Sequence, residues 1–368
     1  MIEGAEAIRR LEAAGARLFV GVPDSLMKGF CSALDSAVEH GRHVVTANEG
    51  AAVAAAAGHF LATGRPAVVY MQNSGLGNAV NPLSSLTSAR VYGIPMVLMI
   101  GWRGEPGVSD EPQHEHQGAI TRGQLDLLDI PTTLLDADAR PPVLEEVYRG
   151  AVEAGGPVAI LVRKGAFDSP PETDPVEGLR RLDAIEIVVD RLPDDTAFVA
   201  TTGFTGRELA LLRDKRGESW ASDLLMVGSM GHASAIALGL ALADPGRTVC
   251  CLDGDGALVM HMGSLAAIGA EQPANLVHVI LNNGVHESVG GQPSALRNVD
   301  LPALARSVGY VAAVGVSTAA DLTEALTDPL PGPTLIEVKV VAGTVDGLPR
   351  PSDFHQRIED MRAWLSGG

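Results

Sequence analysis

Twelve short, uninterrupted apolar runs separated by segments of helical length constrain this chain more than any other feature. Residues 17–23, 43–47, 67–72, 95–101, 132–136 and 158–163 read as strands buried on both faces. Helical patterns fill the gaps, most clearly over Glu49–Thr63, with Gly64 as the stop. Residues 167–178 are acidic, Pro-rich and without periodicity, so they read as a linker. The rhythm then resumes at 197–202, 224–229, 248–254, 276–283, 310–314 and 334–340. Continuous apolar strands alternating with helices predict an α/β chain of two doubly wound domains, each with a mostly parallel sheet covered on both faces. The expected domains are 1–166 and 179–368. They echo one another in architecture, without a short-period repeat.

Trp102–Gln117 and Gly284–Arg297 read as long loops that interrupt the rhythm after a strand. Open parallel sheets bind ligands at that end, and loops of this length in compact domains are often functional.

The net charge of −18 argues against non-specific binding to nucleic acid or acidic membranes. An anionic substrate therefore needs local donors. The three cysteines are Cys31, Cys250 and Cys251; the number is odd and no metal-type spacing occurs. They read as buried thiols in a reducing compartment. The N-terminal residues form an amphipathic pattern without an apolar signal core, and no apolar run is long enough to cross a bilayer, so a cytoplasmic protein is expected.

The stretch 252–294 carries the first chemical signal. A strand runs into Gly254-Asp255-Gly256 and then a helix that begins with Ala257. Glycines let backbone approach a phosphate, and a helix N-terminus offers unpaired N–H groups. Asp255 can hold a hard divalent cation. Twenty-five residues, 257–281, then form a helix and a neighbouring parallel strand, which ends in Asn282-Asn283. Strand ends in one sheet lie about 5 Å apart, so the Asn283 amide oxygen can reach the same cation. A backbone carbonyl of the following loop, at Val285, adds a third ligand. Read in isolation, Gly-Asp-Gly is a tight turn and Asn-Asn a strand-end cap.

This pattern resembles the diphosphate–Mg²⁺ motif of thiamine-diphosphate enzymes. Further segments extend the likeness over nearly the whole chain: GVPDSLMKGF, NEGAAVAAAAG, YMQNSGLGNAVNPLSSL, IGWRGEPG, DEPQHEHQG, GSMGHASAIALGLALA and NNGVHESVGGQPS. Together they resemble the phosphonopyruvate decarboxylase family, with the sulfopyruvate decarboxylases next. The resemblance implies a pyrimidine-binding domain, a diphosphate-binding domain, thiamine diphosphate and Mg²⁺, with the central domain of larger relatives absent. It implies that Glu49 bonds the pyrimidine ring nitrogen, where the residue-level alternative is a helix-terminal charge. Gly228 matches the acceptor for the pyrimidine amino group, and Met230 the wedge that bends the cofactor; alone, Met230 reads as a core residue. His286 and Ser288 are candidates to bond the diphosphate or cover the site, and His232, after the Met230 turn, faces either the pocket or the helix cap.

Asp24, Ser25, Asn73 and Ser74 follow strands and face the expected cleft, with helix capping as the plainer reading for Asp24 and Ser74. Asp24 and His114 are candidate catalytic groups; His116 is the alternative to His114. Arg103 and Arg297, with Lys28 and Lys164 behind them, are candidates for an anionic tail, since an Arg fork suits phosphonate oxygens. The implied reaction is decarboxylation of 3-phosphonopyruvate to phosphonoacetaldehyde and CO₂ in phosphonate biosynthesis. The implied assembly is at least a homodimer, with a tetramer as the larger alternative. Four other readings stand beside it: 3-sulfopyruvate decarboxylation, a pyruvate decarboxylase or acetolactate-type ligase, which the missing central domain disfavours, a catalytically inert thiamine-fold binding protein, and a nucleotide-binding oxidoreductase. The last lacks a G-x-G-x-x-G turn after its first strand.

Overall fold

The computed structural model describes residues 1–138, 142–169, 177–327 and 330–367. Two compact units emerge: Met1–Glu172 with His286–Ala295, and Thr173–Val285 with Leu296–Gly368. Residues 170–176 of the expected linker lie outside the described residues.

The first unit is built on β1 (Phe19–Gly21), β2 (His43–Val45), β3 (Ala67–Gln72), β4 (Met96–Gly101), β5 (Thr132–Leu135) and β6 (Pro157–Val162). The sheet order is β2-β1-β3-β4-β6-β5, and every pairing is parallel. Strand alternation explains why these runs are apolar throughout. Val68 and Tyr70 of β3 enter one apolar cluster, with Val97, Met99 and Ile160. Val69 and Met71 enter the cluster on the other face, with Leu98, Ile100 and Leu161. Helix Glu49–Thr63 starts with the Asn48 side chain accepting from Ala51 N–H and stops at Gly64, whose φ of 67° is left-handed.

The second unit holds β7 (Ala197–Ala200), β8 (Asp223–Leu225), β9 (Val249–Gly254) and β10 (Leu276–Asn282). A short ribbon follows, β11 (Val285–His286) with β12 (Gln292–Pro293), and then β13 (Ala312–Val316) and β14 (Thr334–Lys339). The main sheet runs β13-β14-β10-β9-β7-β8, again all parallel. Counted within its own unit, each sheet has its strands in the order second, first, third, fourth, sixth, fifth. The echo heard in the sequence is therefore one of topology. In both sheets the order reverses between the first and third strands, and ligands of such sheets bind at that reversal, beyond the strand C-terminal ends.

Two expectations need correction. Trp102–Gln117 is not loop throughout, because helix Pro112–Leu127 begins inside it. Pro112 occupies the first helical turn, where its missing N–H costs nothing and its fixed φ favours helix. His114 and His116 thus sit on a helix. The run 224–229 is strand only to Leu225, because the chain must turn at Ser229, whose φ is 52°. A smaller difference concerns His286–Ala295, which belongs to the first unit although its sequence lies among C-terminal strands.

Candidate active site

In the first unit, functional candidates gather past the C-terminal ends of β1, β2, β3 and β4. Glu49 is buried, with 4% exposure, at the start of its helix. Its Oε2 accepts a hydrogen bond from Asn78 Nδ2 at 2.7 Å. A Cβ on Gly75 would lie 2.2 Å from Glu49 Oε1, so only glycine leaves room for this carboxylate. Burial raises the Glu49 pKa, and the Asn78 hydrogen bond partly opposes the rise.

Asp24 is fully buried beyond β1. Its Oδ2 caps the turn Ser25–Met27 through Leu26 N–H at 3.1 Å, and its Oδ1 accepts from Gln72 Nε2 at 2.9 Å. A Cβ on Gly101 would lie 1.8 Å from Asp24 Oδ2, so the last residue of β4 must lack a side chain. Burial pushes the Asp24 pKa up to about 6 despite these hydrogen bonds. Capping and a place in the cleft are thus properties of the same residue.

Asn73 is also fully buried, and its amide is committed to the protein. It donates to the Arg103 carbonyl at 2.8 Å and to Thr121 Oγ1 at 2.9 Å, and accepts from Arg103 N–H at 3.2 Å. It therefore fixes the segment after β4 and helix Pro112–Leu127 rather than projecting free donors. Arg103 is held in turn. Its Nε donates to Asp110 Oδ2 at 2.8 Å and its Nη1 to Ser25 Oγ at 2.8 Å. Burial would raise the Asp110 pKa, but the Arg103 guanidinium and the N–H groups of Gly104 and Glu111 hold it far below the usual carboxylate range. The pair stays ionised, and a fixed guanidinium results. His114 is half-buried; burial and the Arg103 charge lower its pKa, which keeps the imidazole neutral at neutral pH. His116 is exposed.

In the second unit, Leu281 of β10 pairs with Gly254 of β9. Asp255 leaves one residue beyond that pair and Asn283 two beyond it, on neighbouring strands. The spacing read from sequence therefore does bring the two motifs together. The asparagines divide the work. Asn282 is buried and donates to Glu337 Oε1 of β14 at 2.6 Å, anchoring the strand end. Asn283 Oδ1 accepts from Val285 N–H at 3.1 Å and shapes the turn. Asp255 is buried and opens helix Asp255–Met260, with Gly256 and Ala257 buried behind it. Met230 is partly buried on the left-handed turn after Gly228. A Cβ on Gly231 would lie 2.9 Å from Met260 Cβ, so this turn is seated on the same helix. His232 is exposed; its ring lies 4.3 Å from that of His261.

The turn Glu287–Val289 belongs to the first unit and packs against Ser25–Met27. His286 is buried in the first unit, where burial lowers its pKa to about 4, and Ser288 beside it is exposed. Arg297 is exposed in the second unit, and Lys164 is exposed in the first. Sequence reasoning missed Gln72, Gly75, Asn78, Gly101 and Asp110. Of these, Asp110 carried a signal, as an acidic residue in a long loop that also holds Arg103.

Residues 2–126 match the family model described as the thiamine pyrophosphate enzyme N-terminal TPP binding domain, and residues 202–338 match its C-terminal counterpart. The chain is 38% identical to a phosphonopyruvate decarboxylase of Streptomyces viridochromogenes, covering 95% of this chain and 91% of that protein. It is 37% identical to the phosphonopyruvate decarboxylase of Streptomyces hygroscopicus, at 95% and 90% coverage. A sulfopyruvate decarboxylase of Methanosarcina acetivorans is 31% identical, covering 73% of each chain. With both cofactor-binding domains matched and the likeness running from end to end, the chain belongs to the thiamine pyrophosphate enzymes, as a decarboxylase close to the phosphonopyruvate decarboxylases.

Proposed function

We propose that this enzyme decarboxylates 3-phosphonopyruvate to phosphonoacetaldehyde and CO₂, with thiamine diphosphate and Mg²⁺, in phosphonate biosynthesis. When bound, thiamine diphosphate supplies the acceptor for the electron pair left as a 2-keto acid loses CO₂. The second unit fits the metal and diphosphate. Asp255 carboxylate, Asn283 amide oxygen and Val285 carbonyl form an all-oxygen donor set of the kind Mg²⁺ prefers. A Cβ at Gly254 or Gly284 would meet nothing within 4 Å, which leaves space where phosphate oxygens would sit. Gly256 and Ala257 would offer backbone N–H groups there; the Gly228 carbonyl would accept from the amino group, and Met230 would support the cofactor from the turn that follows.

In the first unit, Glu49 would hold the pyrimidine nitrogen and share a proton with it, a task suited by its raised pKa. Asp24, with a pKa of about 6, and a neutral His114 are our candidates to exchange protons with the reacting substrate.

The observation that carries the substrate assignment is Arg103. Its side chain is 16% exposed, and its guanidinium is ionised, aligned by Asp110 and spends three hydrogen bonds within the protein. A guanidinium has five N–H donors, so two remain for a dianionic tail. Ser25 beside it adds a hydroxyl. His286 and Ser288 remain candidates to bond the diphosphate or cover the site, and Arg297 remains a second candidate for the anionic tail.

No helix among the described residues is long and apolar enough to cross a membrane. A cytoplasmic homodimer or larger assembly is our reading. It is supported by the exposed small and apolar face of helix Glu49–Thr63, formed by Ala51, Ala54, Ala55, Gly58, Ala62 and Leu61, the last 75% exposed. The relative from Methanosarcina keeps the sulfonate substrate as the second reading. Parallel assays with 3-phosphonopyruvate and 3-sulfopyruvate decide between them, and a strong preference for the sulfonate would overturn the assignment.

A further inference from the structure

Strands β9 and β10 carry three side chains that the proposed reaction leaves unused. Cys251 and His278 are register partners across the two strands, and Asp253 lies two residues along β9, on the same face. All three are fully buried. Cys250 and Leu252 point the other way, into the apolar cluster with Val277 and Val279. The Cys251 sulfur, an Asp253 oxygen and a His278 ring nitrogen all lie within 4.8 Å of one another.

The polar atoms of this cluster are unequally satisfied. His278 Nδ1 lies 3.0 Å from the Tyr310 hydroxyl, and Asp253 Oδ1 accepts from Gly254 N–H at 2.9 Å. His278 Nε2 and Asp253 Oδ2 face each other at 3.6 Å, beyond hydrogen-bond length, and neither atom has a hydrogen bond among the described residues. Leaving two such atoms unsatisfied inside a sheet is costly. A tetrahedral Zn²⁺ explains their separation. Nitrogen and oxygen ligands, each about 2.0–2.1 Å from the ion, stand about 3.3 Å apart, and a thiolate at about 2.3 Å lies only slightly farther from them.

We infer that Cys251, Asp253 and His278 bind a buried zinc ion, with Tyr310 orienting the imidazole from behind and water filling the fourth position. A sulfur, nitrogen and oxygen set suits Zn²⁺ rather than Mg²⁺. A hydrogen bond from the non-ligating ring nitrogen is the usual way to fix a ligating histidine. The ion bridges the two strands whose ends carry Asp255 and Asn283, so it acts as a clamp on that pair and takes no part in the chemistry.

The test is metal analysis of the full-length protein, purified without a metal-affinity tag from zinc-supplemented cells and dialysed against EDTA. About one zinc per chain should remain, as expected of a fully enclosed site. Cys251→Ser and His278→Gln should lower this more than tenfold, while Cys250→Ser, on the opposite face, should keep it. Asp255→Ala should also keep it, which separates this ion from the proposed Mg²⁺. In cobalt-loaded protein, a thiolate-to-cobalt charge-transfer band should be present in the Cys250→Ser variant and absent from Cys251→Ser. Folded wild-type protein carrying only trace zinc would overturn the inference, even if the variants fail to fold. So would equal depletion in the two cysteine variants, or loss of the zinc in Asp255→Ala.

Discussion

Asn78 Nδ2 donates to Glu49 Oε2 at 2.7 Å, so the carboxylate proposed to meet the pyrimidine is aimed by a residue twenty-nine positions away. Gly75 makes that aim possible, because a Cβ there would collide with Oε1 at 2.2 Å. Two variants follow. Glu49→Gln keeps size but cannot exchange the proton, so kcat should fall about 10²–10⁴-fold. Calorimetry should find thiamine diphosphate binding nearly unchanged. Gly75→Ala should displace the carboxylate and lose activity to a similar extent, with the far-ultraviolet circular dichroism of the wild type. Full activity in either variant would remove Glu49 from its role.

Asp24 sets a pH dependence whose sign is opposite to that of most carboxylates. Its folded pKa, about 6, lies above the ordinary 3.8. Between those values the folded chain holds a proton that the unfolded chain has lost, so stability from this group is present at low pH and declines as pH rises towards 6. The cost above pH 6 is about 3 kcal/mol at most. Asp24→Asn removes it. The melting temperature of the variant relative to wild type should therefore be higher at pH 8 than at pH 4, while kcat falls. An identical difference at both pH values would contradict the buried titration.

The Arg103–Asp110 pair should titrate nowhere near this range, since Asp110 is held ionised well below it. Its contribution should show in binding. Arg103→Lys cannot reproduce the fork, so KM for 3-phosphonopyruvate should rise about 10–100-fold, in line with about 1.4 kcal/mol per tenfold. Asp110→Asn should raise KM less, through loss of guanidinium alignment. Pyruvate, which lacks the anionic tail, is the control; equal losses for both substrates would deny Arg103 its specificity.

Metal removal tests the second unit. After EDTA treatment, thiamine diphosphate should no longer bind, and Mg²⁺ should restore binding. Asp255→Ala should bind weakly at any Mg²⁺ concentration, because the only carboxylate of the proposed donor set is lost. Calorimetry with and without the ion reads this directly, and metal-independent binding would sink the assignment.

The parts of this architecture legible in sequence were those encoded by local repetition. Apolar runs located every strand of the main sheets, and Gly64 marked a helix end because left-handed backbone selects glycine. The spacing from Asp255 to Asn283 was legible because a helical segment and one strand return a chain to its neighbour, although that segment is two short helices, Asp255–Met260 and Ser264–Glu271, where one was expected. What escaped depended on partners distant in sequence. Nothing near Gln72 or Asn78 announces a bond to Asp24 or Glu49, and nothing near Gly75 or Gly101 shows that a carboxylate needs their empty side. Asn73 read as a cleft donor, yet its amide is consumed by Arg103 and Thr121. Cys251 showed no metal spacing because its companions lie across a sheet or two residues away, not on one local motif.

Helix Pro112–Leu127 supplies a stability test with its own internal control. Trp102 Nε1 donates to the Gly118 carbonyl at 2.9 Å, and Asn73 donates to Thr121, so the helix is drawn tightly onto the segment after β4. A Cβ on Gly118 would lie 1.7 Å from the Gly104 carbonyl oxygen, a backbone atom that cannot step aside. Gly118→Ala should therefore force the helix away, costing about 2–4 kcal/mol, and move His114 with it. Gly123 lies on the same helix, exposed, and a Cβ there would meet nothing within 4 Å. Gly123→Ala should be neutral or stabilising by up to about 1 kcal/mol through helix propensity alone. Chemical denaturation of the two variants gives the contrast. Equal stability would mean that helix and segment do not approach as closely as the Gly104–Gly118 crossing requires.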